Sequence, residues 1–397
     1  MHERPATPAE AIERIVTIDV LRGIALFIVL AINAVTEFRV SIFAQLLPGA
    51  ASSTDRLSAF VVLALHTKGF ILFSFLFGVG LAIQFERFAA DRQRLNLLLR
   101  RLAVLLAIGL IHLFLVWNGD ILTEYAVAGF VALPFLFAPR LVLPIAAGLL
   151  LAIFLIGPFL PSIIPFPDSN WVAHHVADAG RIYGSGSFID VLAFRVQEVR
   201  YIAPLHVSVF PRTLGLFLLG ALVWRSGFFR RAAVSNALGV AACVAFAIGA
   251  GLLVAAVTGE LPGLSLSQQW SWAARSLSDL LLAFAYGVAI IAAVNRLPGS
   301  RALRWVAALG RMAFTNYIAQ SIILGWIFYG YGLGFFGRMS AADCFAVVVL
   351  IYAAQLAFSV WWLRQFRFGP LEWAWRSLMY GHRQALRRPE PGTAKRA

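Results

Sequence analysis

Eleven polar or charged side chains stand within or at the ends of otherwise apolar stretches of this chain: Asp19, Arg22, Asn33, His66, Lys68, His112, Asp120, Glu124, Arg311, Asn316 and Gln320. Placing such groups in an apolar medium costs several kcal/mol each unless they are paired, so they mark where chemistry should be sought. Their types suit proton transfer and anion handling. A histidine such as His112, oriented by a carboxylate such as Asp120, makes a general base for a hydroxyl or amine. An amide and an ammonium, Asn33 and Lys68, can steady a developing oxyanion. Arg22, with Asp19 beside it, can hold an anionic group.

The elements that must position these residues follow from composition. Of 397 residues, 60% are apolar and 13% charged, against about 25% charged in soluble domains. Mean hydropathy is +0.81. A soluble enzyme, a secreted disulfide scaffold and a disordered chain are excluded, and an all-α polytopic membrane bundle is expected. Ten stretches, roughly 16–38, 58–85, 97–117, 120–138, 141–160, 207–225, 234–257, 273–295, 303–330 and 342–364, approach or exceed the about 20 residues that span a bilayer as helix. The two long ones, 58–85 and 303–330, are expected to tilt or break at glycines. Cys243 and Cys344 lie inside apolar runs, which disfavours a disulfide or a metal site.

The net charge of +14 does not indicate nucleic acid, because the basic residues flank apolar runs. Of the 33 Lys and Arg, 22 fall on the side shared with the N-terminus, 8 on the opposite side and three within spans. The excess places both termini in the cytoplasm. Three regions result: a cytoplasmic segment 1–15, a transmembrane bundle 16–364 with an outer loop 161–206, and a cytoplasmic interfacial helix with basic tail 365–397. Within the outer loop, FIDVLAFRVQEVRYI repeats apolar residues at helical spacing and reads as a helix lying on the membrane. LEWAWRSLMY after Pro370 reads as a second interfacial helix beside membrane lipid.

Spacing groups the polar residues. Asp19 and Arg22 are three apart and share a face, and Asn33 returns to that face about 16 Å deeper. Lys68 lies too deep to snorkel easily and needs a partner; His66 sits two residues earlier on another face. Arg101 and His112 repeat the eleven-residue spacing. Asp120 meets the N-terminus of the next helix, where capping alone accounts for a carboxylate, and Glu124 is one turn further in. Asn316 and Gln320 are four apart on one face, with Arg311 on a neighbouring stripe. Helix–helix pairing accounts for these amides and ion pairs as readily as a site does. His174 and His175 lack a third ligand in sequence, so a metal is not expected there.

The segments TIDVLRGIAL, KGFILFSFLFGVG, GLIHLFLVWNGDILTEYA, GRMAFTNYIAQS with YGYGLGFFG, and FRFGPLEWAWRSLMYG resemble, in order, those of the YeiB-like family, a domain-of-unknown-function family of bacterial inner-membrane proteins. The D-x-x-R-G opening more distantly resembles the transmembrane acyltransferase superfamily, which includes heparan-glucosaminide N-acetyltransferase and bacterial O-acyltransferases. That resemblance implies transfer of an acyl group from cytoplasmic acyl-CoA to an acceptor across the membrane. In the O-acyltransferase branch a histidine lies eleven residues beyond the motif arginine, and here Asn33 stands there. In YeiB-like relatives an acidic residue often precedes the lysine matching Lys68, and here His66 does.

Three readings from different classes result, one of them a membrane sensor or partner-binding scaffold in which the paired polar residues are purely structural. In an acyltransferase His112 is the base oriented by Asp120, Asn33 and Lys68 hold the oxyanion, and Arg22 with Asp19 holds the donor, acyl-CoA. The acceptor arrives extracytoplasmically, and a homodimer is an admissible assembly. In a transporter or lipid-handling protein the same groups line a path without covalent chemistry.

Overall fold

In lipid a backbone must satisfy its own hydrogen bonds, which leaves helices as the economical solution for apolar runs of this length. The computed structural model describes residues 8–47, 56–89, 91–139, 141–230, 234–261 and 264–388. Residues 1–7 and the tail beyond 388 lie outside them. The described chain forms an all-α bundle, with one two-residue antiparallel pairing, Glu260–Leu261 with Leu264–Ser265, at a turn.

The helices in order are α1 (Pro8–Ile32), α2 (Arg56–Leu65), α3 (Lys68–Arg87), α4 (Arg94–Ile111), α5 (Leu122–Phe137), α6 (Val142–Ile156), α7 (Ser169–Ser185), α8 (Phe188–Arg225), α9 (Asn236–Thr258), α10 (Gln268–Arg296), α11 (Arg301–Arg311), α12 (Ala313–Phe328), α13 (Ala341–Gln365) and α14 (Pro370–Tyr380). Among the described residues eight segments are long and apolar enough to cross a membrane, with α2 and α3 forming one of them. The apolar α5 and α12 are shorter. This is an integral membrane protein.

The α1 segment is the axis, with 83% of its apolar window buried, against 11% for α6 and 22% for α9, which form the rim. Close approach around the axis depends on small residues. A Cβ at Gly310 of α11 would lie 1.9 Å from the Asp19 carbonyl oxygen, and one at Gly78 of α3 would lie 2.0 Å from that of Phe217. Without a hydrophobic drive between helices in lipid, such backbone approach supplies much of the packing attraction.

Three expectations change. The stretch 58–85 breaks at His66 and Thr67, where Thr67 takes φ 68°, and 303–330 breaks at Met312. Neither break falls on a glycine. The stretch 188–202 is helical, but it continues unbroken through Pro204 and Pro211 into the following span as the 38-residue α8, about 57 Å long. It is therefore no separate helix on the membrane surface. A capping box at Ser187 and Asp190 starts it, and α7 packs beside its first half.

At the other end α14 forms where expected and docks on α4. Trp375 donates to the Arg101 carbonyl at 2.9 Å, and the Arg101 guanidinium lies 3.9 Å over the Trp375 ring. Glu372 reaches across to cap α12, accepting from the amides of Phe314 (2.9 Å) and Thr315 (3.0 Å) and from the Thr315 hydroxyl (2.5 Å).

Candidate functional site

Two helices lose α geometry at the residues singled out for chemistry. Asn33 opens a π-helical turn, Asn33–Phe38, at the end of α1, and His112 opens another, His112–Val116, at the end of α4. Each turn closes with a bond spanning five residues: Arg39 N–H to the Ala34 carbonyl at 3.0 Å, and Trp117 N–H to the His112 carbonyl at 2.7 Å. Such turns insert a residue into the helical ladder and gather at functional sites. Both pack against α12.

After the second turn the chain reverses through Trp117-Asn118-Gly119-Asp120. A Cβ at Gly119 would sit 2.3 Å from the Trp117 ring, so the tight reversal needs glycine. Asp120 then performs two tasks. Its Oδ1 and Oδ2 accept from the amides of Leu122 (3.1 Å) and Thr123 (2.7 Å), capping α5. Its Oδ1 also accepts from His112 Nδ1 at 2.8 Å. Both side chains are buried. His112 Nε2 is buried and has no partner. A carboxylate on Nδ1 fixes the tautomer that leaves Nε2 as the proton acceptor. Tyr317 of α12 lies with its ring 5.3 Å from the imidazole, and its hydroxyl oxygen accepts weakly from the Ile121 amide at 3.4 Å. Asn33 is buried with Oδ1 unpartnered.

A second histidine–carboxylate pair stands one turn along α5. Glu124 accepts from His206 of α8 at 2.7 Å and from the Thr213 hydroxyl at 2.5 Å. Glu37, on the Asn33 π turn, lies within electrostatic range of His206 and Tyr317, and Asp120 within range of both. The centre thus holds Glu37, Asp120, Glu124, His112 and His206 together.

Lys68 does not join this group. Fully buried at the start of α3, it forms an ion pair with Asp279 of α10 at 2.6 Å and donates to the Leu63 carbonyl at 2.8 Å. Arg275 also faces Asp279, at 3.3 Å. His66 bonds to the Thr67 hydroxyl and lies within range of the same ions. An ammonium already neutralised by a carboxylate is a poor oxyanion clamp, so the structure separates Lys68 from the role expected for it. Asn316 and Gln320 are likewise structural. Asn316 donates to Ser359 at 3.1 Å, and Gln320 to Gln355 at 2.7 Å, which tie α12 to α13. Their neighbour Tyr317 is the α12 residue that meets His112.

At the basic end Arg22 pairs with Asp19 at 3.2 Å and keeps a 30% exposed side chain. Arg101 lies within electrostatic range of both Arg22 and Arg376, and Arg311 within range of Asp19. Arg101 Nε is buried and unpartnered. At the opposite end Glu198 of α8 collects Asn118 Nδ2 (2.6 Å), His175 Nε2 (2.6 Å) and the Tyr183 hydroxyl. Burial, and then the Glu198 charge, push the Tyr183 phenol well above its usual range, so it remains a donor.

Glu37, His206, Glu198, Arg195 and Asp279 were missed in the sequence. Glu37 and His206 sit near span ends, where polar residues are expected, and the π turn that swings Glu37 inward leaves no periodic signal.

The fold and the site define a polytopic helical membrane protein with a buried histidine–carboxylate centre between two arginine-bearing ends. Residues 223–382 match the family model described as a protein of unknown function, DUF418. The chain is 34% identical over 394 residues to uncharacterized protein YxaH of Bacillus subtilis (strain 168), covering 93% of this chain and 94% of that one. It is 30% identical over 397 residues to uncharacterized protein YeiB of Escherichia coli (strain K12), covering 92% and 96%. A 39.9 kDa protein encoded in the amylase 3' region of Bacillus acidopullulyticus is 26% identical over 94% of this chain and 95% of its own. The chain belongs to this YeiB-like DUF418 family. No solved structure matches it.

Proposed function

We propose that the protein transfers an acyl group from acyl-CoA, bound at its basic end, to a hydroxyl or amine of an acceptor arriving from the opposite side, with His112 as general base. The observation that carries the reading is the His112–Asp120 pair, with Nδ1 held by a capping carboxylate and Nε2 buried and free. Nε2 takes the proton of the acceptor as its oxygen or nitrogen attacks the thioester carbonyl. The new C–O or C–N bond forms, the C–S bond breaks, and the imidazolium returns the proton to the departing thiolate. Asp120 holds the imidazolium while it exists. The Tyr317 hydroxyl, accepting from Ile121, keeps its own proton for the carbonyl oxygen. Asn33 offers Oδ1 to the nucleophile's proton-bearing group. Arg22, Arg101 and Arg376 would receive the donor's phosphates. Arg22 lies eleven residues from Asn33, and Arg101 eleven from His112, a separation of about 16 Å that an extended pantetheine arm can bridge. In this reading the basic end and both termini face the cytoplasm of a bacterial inner membrane.

A second reading, proton-coupled transport, is favoured by the Glu37, Glu124 and His206 cluster and by the break at Thr67. Titration of acyl-CoA against detergent-purified protein separates the two, with the unfolding midpoint as readout. Under acyl transfer, acyl-CoA raises the midpoint of wild type and of His112→Ala but not of Arg22→Ala, and both variants lose release of free CoA, His112→Ala while still binding the donor. No shift at millimolar acyl-CoA would remove the acyl-transfer reading.

A further inference from the structure

Arg195 of α8 has no place in the chemistry above. It is 1% exposed, and its Nη1 donates to the Val116 carbonyl, the last residue of the π turn that His112 opens. Its Nε and Nη2 are buried without a partner. A guanidinium cannot shed its proton, so these are two unmet donors of a permanent cation. Glu198, one turn along the same helix, does not relieve them. It is committed to Asn118, His175 and Tyr183, and no ion pair joins it to Arg195. Tyr329 presents its ring 5.6 Å from the guanidinium carbon, and Tyr183 and Tyr331 lie within electrostatic range.

Nε and Nη2 form one edge of the guanidinium plane, the edge that grips two oxygens of one oxyanion side-on. The third nitrogen is fixed to backbone, so that edge is already oriented. We infer that Arg195 anchors a binding site for a ligand bearing a phosphate or carboxylate group, at the end of the bundle opposite Arg22. The Val116 carbonyl that Arg195 grips lies four residues along the π turn from His112. A ligand held there by its anionic group places a neighbouring hydroxyl or amine within reach of Nε2. That the anion belongs to the acceptor rests on the acyl-transfer reading; that Arg195 binds it does not.

The test uses full-length protein in neutral detergent, titrated with glycerol 1-phosphate or glycerate, with potassium chloride matching the ionic strength. In parallel, protein in phosphatidylcholine nanodiscs is compared with and without phosphatidic acid. Unfolding midpoint and tryptophan fluorescence are read, since Trp117 follows Val116 directly. At least one of these anions should raise the midpoint of wild type by several degrees and change the fluorescence. A response to the water-soluble anions assigns the site to a soluble ligand, and a response to phosphatidic acid alone assigns it to a lipid headgroup. Arg195→Gln should abolish the response. Arg195→Lys, which keeps the charge without the side-on pair of donors, should weaken binding about tenfold. Arg22→Ala, at the opposite end of the bundle, should respond as wild type does, which separates anion binding from the acyl-transfer reading. The inference is overturned if no anion shifts wild type or if Arg195→Gln responds normally. If Arg195→Gln fails to fold, wild-type affinity in Arg195→Lys overturns it.

Discussion

The buried pair between Lys68 and Asp279 permits a quantitative test of what Lys68 is for. Both side chains are withdrawn from solvent, at 0% and 6% exposure, and their charges are 2.6 Å apart. Removing one partner of such a pair strands the other charge and costs about 3–5 kcal/mol. The two truncations should not cost the same. In Asp279→Ala the Lys68 ammonium keeps only the Leu63 carbonyl, whereas in Lys68→Met the Asp279 carboxylate still faces Arg275 at 3.3 Å. Asp279→Ala should therefore fall at the upper end of that range and Lys68→Met at the lower. Replacing both, Lys68→Met with Asp279→Leu, removes the buried pair but leaves Arg275 with only the Val62 carbonyl, so it should recover most of the larger single loss, not all of it. In thermal unfolding in a fixed detergent, the larger loss corresponds to a midpoint shift on the order of 5–10 °C. Equal losses in the two single variants, or a double variant that loses their sum, would refute the reasoning. Restored stability together with retained His112-dependent turnover would exclude Lys68 from oxyanion stabilisation.

Further outcomes follow from other contacts. Gly310→Ala places a Cβ 1.9 Å from the Asp19 carbonyl oxygen and should cost about 1–3 kcal/mol or more in unfolding measurements, while Gly148→Ala, with nothing within 4 Å, should be neutral or gain up to about 1 kcal/mol. Asp120→Asn keeps an oxygen to cap α5 but no longer holds the His112 tautomer; turnover should fall by about 10²-fold or more with little loss of midpoint, and a small effect on both would remove the dyad. Burial holds the Glu372 carboxyl above its ordinary range, against the pull of its hydrogen bonds. Because the folded value is raised, this contribution to stability is present below the ordinary carboxylate pKa and fades as pH rises through the raised value. Glu372→Gln should flatten that slope above the ordinary carboxylate pKa, and an unchanged slope would show that other groups set it.

The spans were legible because lipid leaves little freedom: an apolar run of sufficient length becomes a helix, and each of the ten expected runs lies on helix. The dyad was legible for a related reason, since a histidine and a carboxylate flanking a Gly-containing reversal at a span end must lie near each other. Partners across the bundle were not legible. Nothing local ties Lys68 to Asp279, 211 residues away, or Glu124 to His206, 82 residues away. The run of α8 through Pro204 and Pro211 was hidden because proline ordinarily signals a helix end, whereas in a bundle neighbouring groups can satisfy the freed carbonyls.

The paired π turns suggest why the centre sits where it does. Each widens the last turn of its helix, so the side chains within that turn are rotated relative to an uninterrupted α-helix. In α1 the rotation accompanies Glu37 into range of His206 and Tyr317, and in α4 it carries the chain into the reversal that returns Asp120 to His112. Both insertions abut α12, whose amides on one face are spent holding α13 while Tyr317 on another meets the imidazole. A bundle built only to span a membrane gains nothing from two such turns beside one helix, because each weakens regular helical bonding. Their coincidence with an unpartnered imidazole nitrogen and an unpartnered amide oxygen is accounted for if the interruptions aim those atoms at a common ligand. A scaffold reading accounts for the ion pair at Lys68 and the amide ladder at Asn316. It leaves the free atoms of Asn33, His112 and Arg195 unexplained.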